Sequence, residues 1–139
     1  FVAADGTVEL LGILAQQVTP AGISHGHQGT IDAHGRVRAG TAHDEAVEHA
    51  ALAVAAAAAR AGFRGPCGVD AFAFVAEKRE WLRPVVELNA RFTTGTVTLA
   101  LVRRALAGQP PLHGETSFRL DLRPEVPLLQ IGEREIRIP

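Results

Sequence analysis

Residues 84–95 read PVVELNARFTTG. Val85, Val86 and Leu88 give the first half the apolar character of a buried strand. Glu87 and Asn89 then stand two residues apart, Arg91 follows, and Gly95 opens a helical stretch. Side chains two apart on a strand project from the same face. Glu87 and Asn89 therefore leave the strand end together, where a carboxylate, an amide and a guanidinium replace the expected apolar continuation.

The segment just upstream supplies a partner. Residues 69–75 and 83–89 read as two antiparallel strands joined by a charged turn over 76–82. The start of one strand in such a hairpin lies beside the end of the other, so Asp70 is expected close to Glu87 and Asn89. Two carboxylates and an amide oxygen form a hard-oxygen set of the kind that suits Mg²⁺, completed by water and phosphate oxygens. Arg91, just beyond, can grip a phosphate or an acyl phosphate with its planar fork. Phe72, two residues after Asp70, adds an apolar platform on the same face. The competing reading of the same spacing is a strand-end ion pair between Glu87 and Arg91.

Outward from this hairpin, residues 1–4 and 8–17 read as two strands around an Asp5-Gly6 turn. Residues 19–40, rich in glycine and histidine, read as loop with a short extended piece at 30–33. Residues 41–61 form the clearest helix. Thr41 is its expected cap, with Asp44 three residues on. Val47, Ala51, Val54 and Ala58 make its apolar face, and Gly62 stops it. A second helix is expected over 96–107, with Val97, Leu101 and Ala105 on one face. Gly108 and the Pro110-Pro111 pair end it. Short strands follow at 118–122, 128–131 and 135–138, with a turn over 132–134. The expected class is α+β: a mostly antiparallel sheet with two packed helices. The expected domain layout is residues 1–115 as one portion and 116–139 as appended strands.

The 139 residues carry a net charge of −1, which argues against electrostatic capture of nucleic acid or a membrane surface. The longest apolar run, residues 50–59, is too short to span a bilayer. Cys67 is the single cysteine, so no internal disulfide can form and a reducing cytoplasm is expected. The chain opens with Phe1 rather than Met, and a fragment whose N-terminal part lies elsewhere is the expectation.

The stretches GPCGVDAFAF and RPVVELNARFTTG together resemble the C-terminal, metal-binding half of an ATP-grasp domain. In that family an acidic strand pairs with one ending in Glu-x-Asn-x-Arg, a pattern that Glu87, Asn89 and Arg91 match, with Asp70 as the first acidic position. The resemblance covers about residues 42–108. It implies ATP as cofactor, with Mg²⁺ or Mn²⁺ held by Asp70, Glu87 and Asn89. It also implies Phe72 against the adenine, and Arg91 as the catalytic and phosphate-binding group. The implied reaction joins a small-molecule carboxylate to an amine through an acyl phosphate. The family's glycine-rich loop and phosphate-binding lysines cannot be placed here, and Lys78 sits in a turn. Those lobes are expected in missing N-terminal parts of the same protein, and the isolated chain is expected to be inactive. A non-catalytic binding or assembly module that retained the fold is the alternative. The tail strands are the candidate surface for a homo-oligomer.

His25, His27 and His34 invite a zinc reading, yet no cysteine or acidic residue completes a tetrahedral set. Within the ATP-grasp resemblance the same segment borders the active site, which makes Ser24, His25, His27 and Gln28 candidate substrate contacts. Glu45 and His49 are four apart and can pair on a solvated helix face. Cys67 reads as a packed thiol, and Trp81 as an isolated side chain in the hairpin turn.

Overall fold

The computed structural model describes residues 1–110 and 112–138. In chain order the elements are β1 (Ala15–Val18), β2 (Ser24–Ile31), β3 (Val37–Arg38), α1 (Asp44–Arg60), β4 (Gly68–Ala76), β5 (Arg79–Asn89), α2 (Thr94–Leu106), β6 (Thr116–Asp121), β7 (Leu128–Ile131) and β8 (Arg134–Arg137). The class is α+β with antiparallel strand pairing, as expected. Among the described residues the strands form two sheets: β4–β5, and β1-β2-β6-β7-β8 with β3 also on β2. The chain divides into two units elsewhere than at residue 115. One unit holds Phe1–Leu11 and Ala42–Thr96; the other holds Gly12–Thr41 and the described residues from Val97 onward. No helix among the described residues is long and apolar enough to cross a membrane.

The first unit is built on the β4–β5 hairpin. Ala76 pairs with Arg79, which leaves Glu77 and Lys78 as a two-residue turn. Both have positive φ, 52° and 61°. That is the primed turn whose twist suits a hairpin, normally filled by Asn-Gly. The seven-residue turn expected over 76–82 is therefore too long, because the Glu77-Lys78 pair lacks the usual composition signal. Trp81 lies inside β5, not in a turn. The register then jumps: Asp70 faces Glu87, but Phe72 faces Arg83. The extra β5 residues include Pro84, which has no N–H to give to a ladder and is tolerated at such a bulge.

α1 packs on this hairpin. Its N-cap is His43, without a side-chain cap bond, so Thr41 does not cap it. The His43 imidazole instead meets the Glu80 carboxylate of β5. The expected apolar face holds, with Ala55 the deepest residue. Gly62, at φ 92°, follows the helix, and its N–H donates to the Ala59 carbonyl. The N-terminal hairpin is smaller than expected. Val2 bridges Val8 and also Gly65, whereas residues 9–14 form no strand.

The second unit is an antiparallel sheet in which β6 and β7 alternate between core and solvent. Ile31, Phe118, Leu120, Leu129 and Ile131 are buried on one face. Full burial of each such side chain contributes roughly 1.5–3 kcal/mol. α2 contributes buried Thr98, Leu99 and Val102. The expected face of Val97, Leu101 and Ala105 is off by a position; Val97 is exposed. The cause is Thr98, whose hydroxyl hydrogen-bonds His27 Nδ1 at 3.0 Å and so draws a polar residue inward.

The region 19–40 holds two strands, β2 and β3, where loop with one short extended piece was expected. Its glycines concealed β2, since glycine weakens a strand unless another backbone must come close. Here two must. A Cβ on Gly26 would overlap the Leu120 carbonyl, and one on Gly29 would overlap the Arg38 carbonyl. β6 pairs with β2 from Gly26 to Ile31, so the tail strands belong to this sheet. Gly108 has φ 75° and follows α2. Of the proline pair expected to end that helix, Pro111 lies outside the described residues.

The strained Glu77-Lys78 turn makes a first prediction. Replacing it with Asn-Gly raises stability by about 1 kcal/mol, measured as a higher urea midpoint through the fluorescence of Trp81. An unchanged or lower midpoint would mean that the turn stores no such strain.

Candidate functional site

The hairpin register sets the geometry. Asp70 and Glu87 are directly paired, and Gly68 pairs with Asn89. By the two-residue period, Asp70, Glu87 and Asn89 share one face. The bulge inserts an even number of residues, so Phe72, Phe74, Trp81 and Arg83 stay on that same face. The opposite face carries Glu80, where His43 of α1 meets it.

Asn89 organises the cluster. It is the buried member, at 8% exposure, whereas Asp70, Glu87 and Arg91 are exposed. Its amide nitrogen donates to Asp70 Oδ2 at 3.0 Å. Its amide oxygen accepts from Arg91 Nη2 at 3.1 Å. Arg91 also donates to the Phe92 carbonyl at 3.3 Å. The backbone turns immediately after the strand, with the Arg91 N–H donating to the Asn89 carbonyl at 2.8 Å. Arg91 thus folds back over the strand end. Thr93 then starts α2: its hydroxyl accepts from the Thr96 N–H at 3.2 Å, and the Thr96 hydroxyl accepts from the Thr93 N–H at 3.3 Å. Gly68 leaves room for this corner, since a Cβ there would press on the Thr93 methyl.

The donor chemistry can be tested against a divalent cation. Asp70 and Glu87 present exposed carboxylate oxygens side by side, which suits Mg²⁺. Asn89 sits differently. Its nitrogen, not its oxygen, faces Asp70, so it orients that carboxylate. To ligate a cation, its amide must turn over and release Arg91.

Around the cluster lies an open aromatic face. Phe72, Phe74 and Trp81 are 48%, 42% and 46% exposed. The Phe72 and Phe74 rings are 5.6 Å apart and tilted, and the Arg79 guanidinium lies 5.3 Å from the Trp81 ring centre. Sequence reasoning found Phe72 but missed Phe74, Trp81 and Arg79, because the turn was drawn too long. The available signal was Trp81 and Arg83 in step with Glu87 and Asn89.

The histidine candidates belong to the second unit, on β2. His27 is buried and engaged by Thr98. His25 Nδ1 is buried without a hydrogen-bond partner. Ser24 and Gln28 are exposed, and His34 sits in a turn where its N–H donates to Asp32. Among the described residues, no group of three His, Cys, Asp or Glu side chains is placed to hold a metal, so the histidines assemble no zinc site. Cys67 is a half-buried free thiol. No protein-family model, no curated protein and no solved structure matches this chain at a significant level.

The role of Asn89 as organiser has a measurable consequence. Asn89→Ala lowers stability by about 1–2 kcal/mol, because it removes two charge-assisted bonds at a largely buried position. Glu87→Gln, an isosteric change at an exposed position, shifts it by less than about 0.5 kcal/mol. Urea unfolding of both variants checks this; equal effects would remove Asn89 from that role.

Proposed function

We propose that this chain is the metal- and nucleotide-binding part of an ATP-grasp ligase. It would use Mg-ATP to activate a carboxylate as an acyl phosphate for attack by an amine. The observation that carries the reading is the Asp70–Glu87 pair, with Asn89 and Arg91 hydrogen-bonded beside it at the end of an exposed aromatic face. That arrangement offers anionic oxygens, a cation and a stacking surface within one strand pair. These are the three things a magnesium nucleotide requires.

In this reading Asp70 and Glu87 would hold Mg²⁺, with Asn89 beside them if its amide were turned over. The bound metal would offset charge on the transferring phosphoryl group. Phe72 supports the base. Arg91, released from Asn89, moves to the phosphoryl oxygens and steadies them as the γ-phosphoryl passes from ATP to the carboxylate. An amine then attacks the acyl carbon, loses a proton and expels phosphate, leaving an amide. The lysines and glycine-rich loop that hold phosphates in this family would come from other parts of the protein. The single free thiol suits a cytoplasmic setting.

A second reading has one observation in its favour. Asp70, Asn89 and Arg91 satisfy one another without a cation. A binding or assembly module that kept the fold without the reaction would look the same.

Electron spin resonance of Mn²⁺ in the presence of ADP separates the two. The ligase reading expects binding that weakens about tenfold or more in Glu87→Gln. It also expects Arg91→Gln to keep the metal and loosen the nucleotide. Equal Mn²⁺ binding by the parent and Glu87→Gln would put the metal elsewhere. Lack of binding by a folded chain favours the module.

A further inference from the structure

On the polar face of the second unit's sheet only Gln28 has been considered as a ligand contact. The alternation that buries Leu120 and Leu129 turns Gln28, Arg119 and Gln130 outward. Gln28 pairs with Arg119, and Arg119 pairs with Gln130, so the three form one row across β2, β6 and β7. Thr30 pairs with Ser117 in the next row. These side chains line a cleft of about 400 Å³ that is open to solvent. Such a volume suits a small ligand. Among the described residues, none of those lining it is acidic.

Arg119 is the cation of this cleft, with its side chain about half exposed at 49%. Its nearest carboxylate, Asp121, is 4.0 Å away. Asp121 is already committed to Arg123, whose Nη2 and Nε lie 2.5 Å and 2.9 Å from it. That pairing holds the Asp121 carboxyl well below the usual carboxylate range. Glu135, the other acid on this face, follows Gln130 in the row, one strand further from Arg119. Gln130 turns its amide nitrogen to the Gly132 carbonyl at 3.2 Å. Gln17 shares the face through its pairing with Gly26, and its amide nitrogen is buried without a partner. Arg119 is thus a pure donor on this face, and the hydroxyls and amides beside it can each also donate to a bound anion.

We propose that this cleft binds a small carboxylate, with Arg119 as its anchor and Gln28, Thr30 and Ser117 as flanking donors. The planar fork of one arginine matches a carboxylate, with two parallel hydrogen bonds. One cation balances a monoanionic group better than a phosphate dianion. The remaining volume accommodates a polar body. The inference stands apart from the nucleotide reading, since every residue it uses lies in the second unit.

The test is a titration of the isotope-labelled chain with succinate, its neutral isostere succinamide and inorganic phosphate, followed by amide NMR shifts. Succinate is expected to move the amides of Gln28, Ser117 and Arg119 saturably, with succinamide silent and phosphate weaker. Arg119→Gln is expected to lose at least tenfold in affinity. Arg119→Lys, which keeps the charge without the fork, is expected to lose several-fold. The amide spectra report folding of both variants. The proposal is overturned by absence of saturation into the tens of millimolar, by an equal response to succinamide, by tighter phosphate binding, or by unchanged affinity in Arg119→Gln.

Discussion

The first unit depends on a single register, the one that sets Asp70 opposite Glu87. A strand has period two, so a slip of one residue would send an entire side-chain set to the other face. Here it would separate Asp70 from Glu87 and Asn89 and part Phe72 and Phe74 from Trp81. Two features hold the register. The Glu77-Lys78 turn fixes one end of the ribbon, despite the strain of two non-glycine residues at positive φ. The bond from Asn89 to Asp70 fixes the other. Between them the bulge around Pro84 absorbs extra residues in an even number and so preserves the facing.

The second unit answers the same problem of facing by burial. β2, β6 and β7 bury apolar residues on one face, and α2 supplies apolar residues to that core. The His27–Thr98 hydrogen bond ties helix to sheet through two buried polar groups that satisfy one another. Paired in this way they avoid the cost of roughly 1–3 kcal/mol attached to an unmet buried donor. This facing has a second effect. Gln28, Thr30, Ser117, Arg119 and Gln130 are gathered on the opposite side, so the same pattern that builds a core also concentrates hydrogen-bonding groups.

Much of this was legible in the sequence, and the failures have physical causes. The α+β class, both helices, the β4–β5 pairing and the meeting of Asp70, Glu87 and Asn89 all follow from apolar periodicity and hairpin geometry. The Asn89 bonding was not legible, because spacing says which groups meet but not which atom of an amide faces which neighbour. β2 was hidden because SHGHQGTI lacks the β-branched signature, and Gly26 and Gly29 are there to admit neighbouring backbones. The burial of Thr98 was hidden because its partner, His27, is 71 residues away. The hairpin turn was drawn too long because Glu-Lys occupies a site where composition rules expect Asn-Gly.

The division of the chain carries a consequence for how the protein is made. The backbone passes from one unit to the other after Leu11, after Thr41 and after Thr96. Neither unit is a continuous segment, so no single cut in the chain releases one of them whole. During synthesis β2 must wait for β6, which follows α1, β4, β5 and α2, and Val2 must wait for Gly65. The entropy of closing such loops grows only slowly with their length, yet searching for distant partners slows folding. Until β6 is made, nascent β2 has only its neighbours β1 and β3 as partners, and its other edge stays open. Its glycines and polar residues, which suit close packing later, also make it a poor template for premature association.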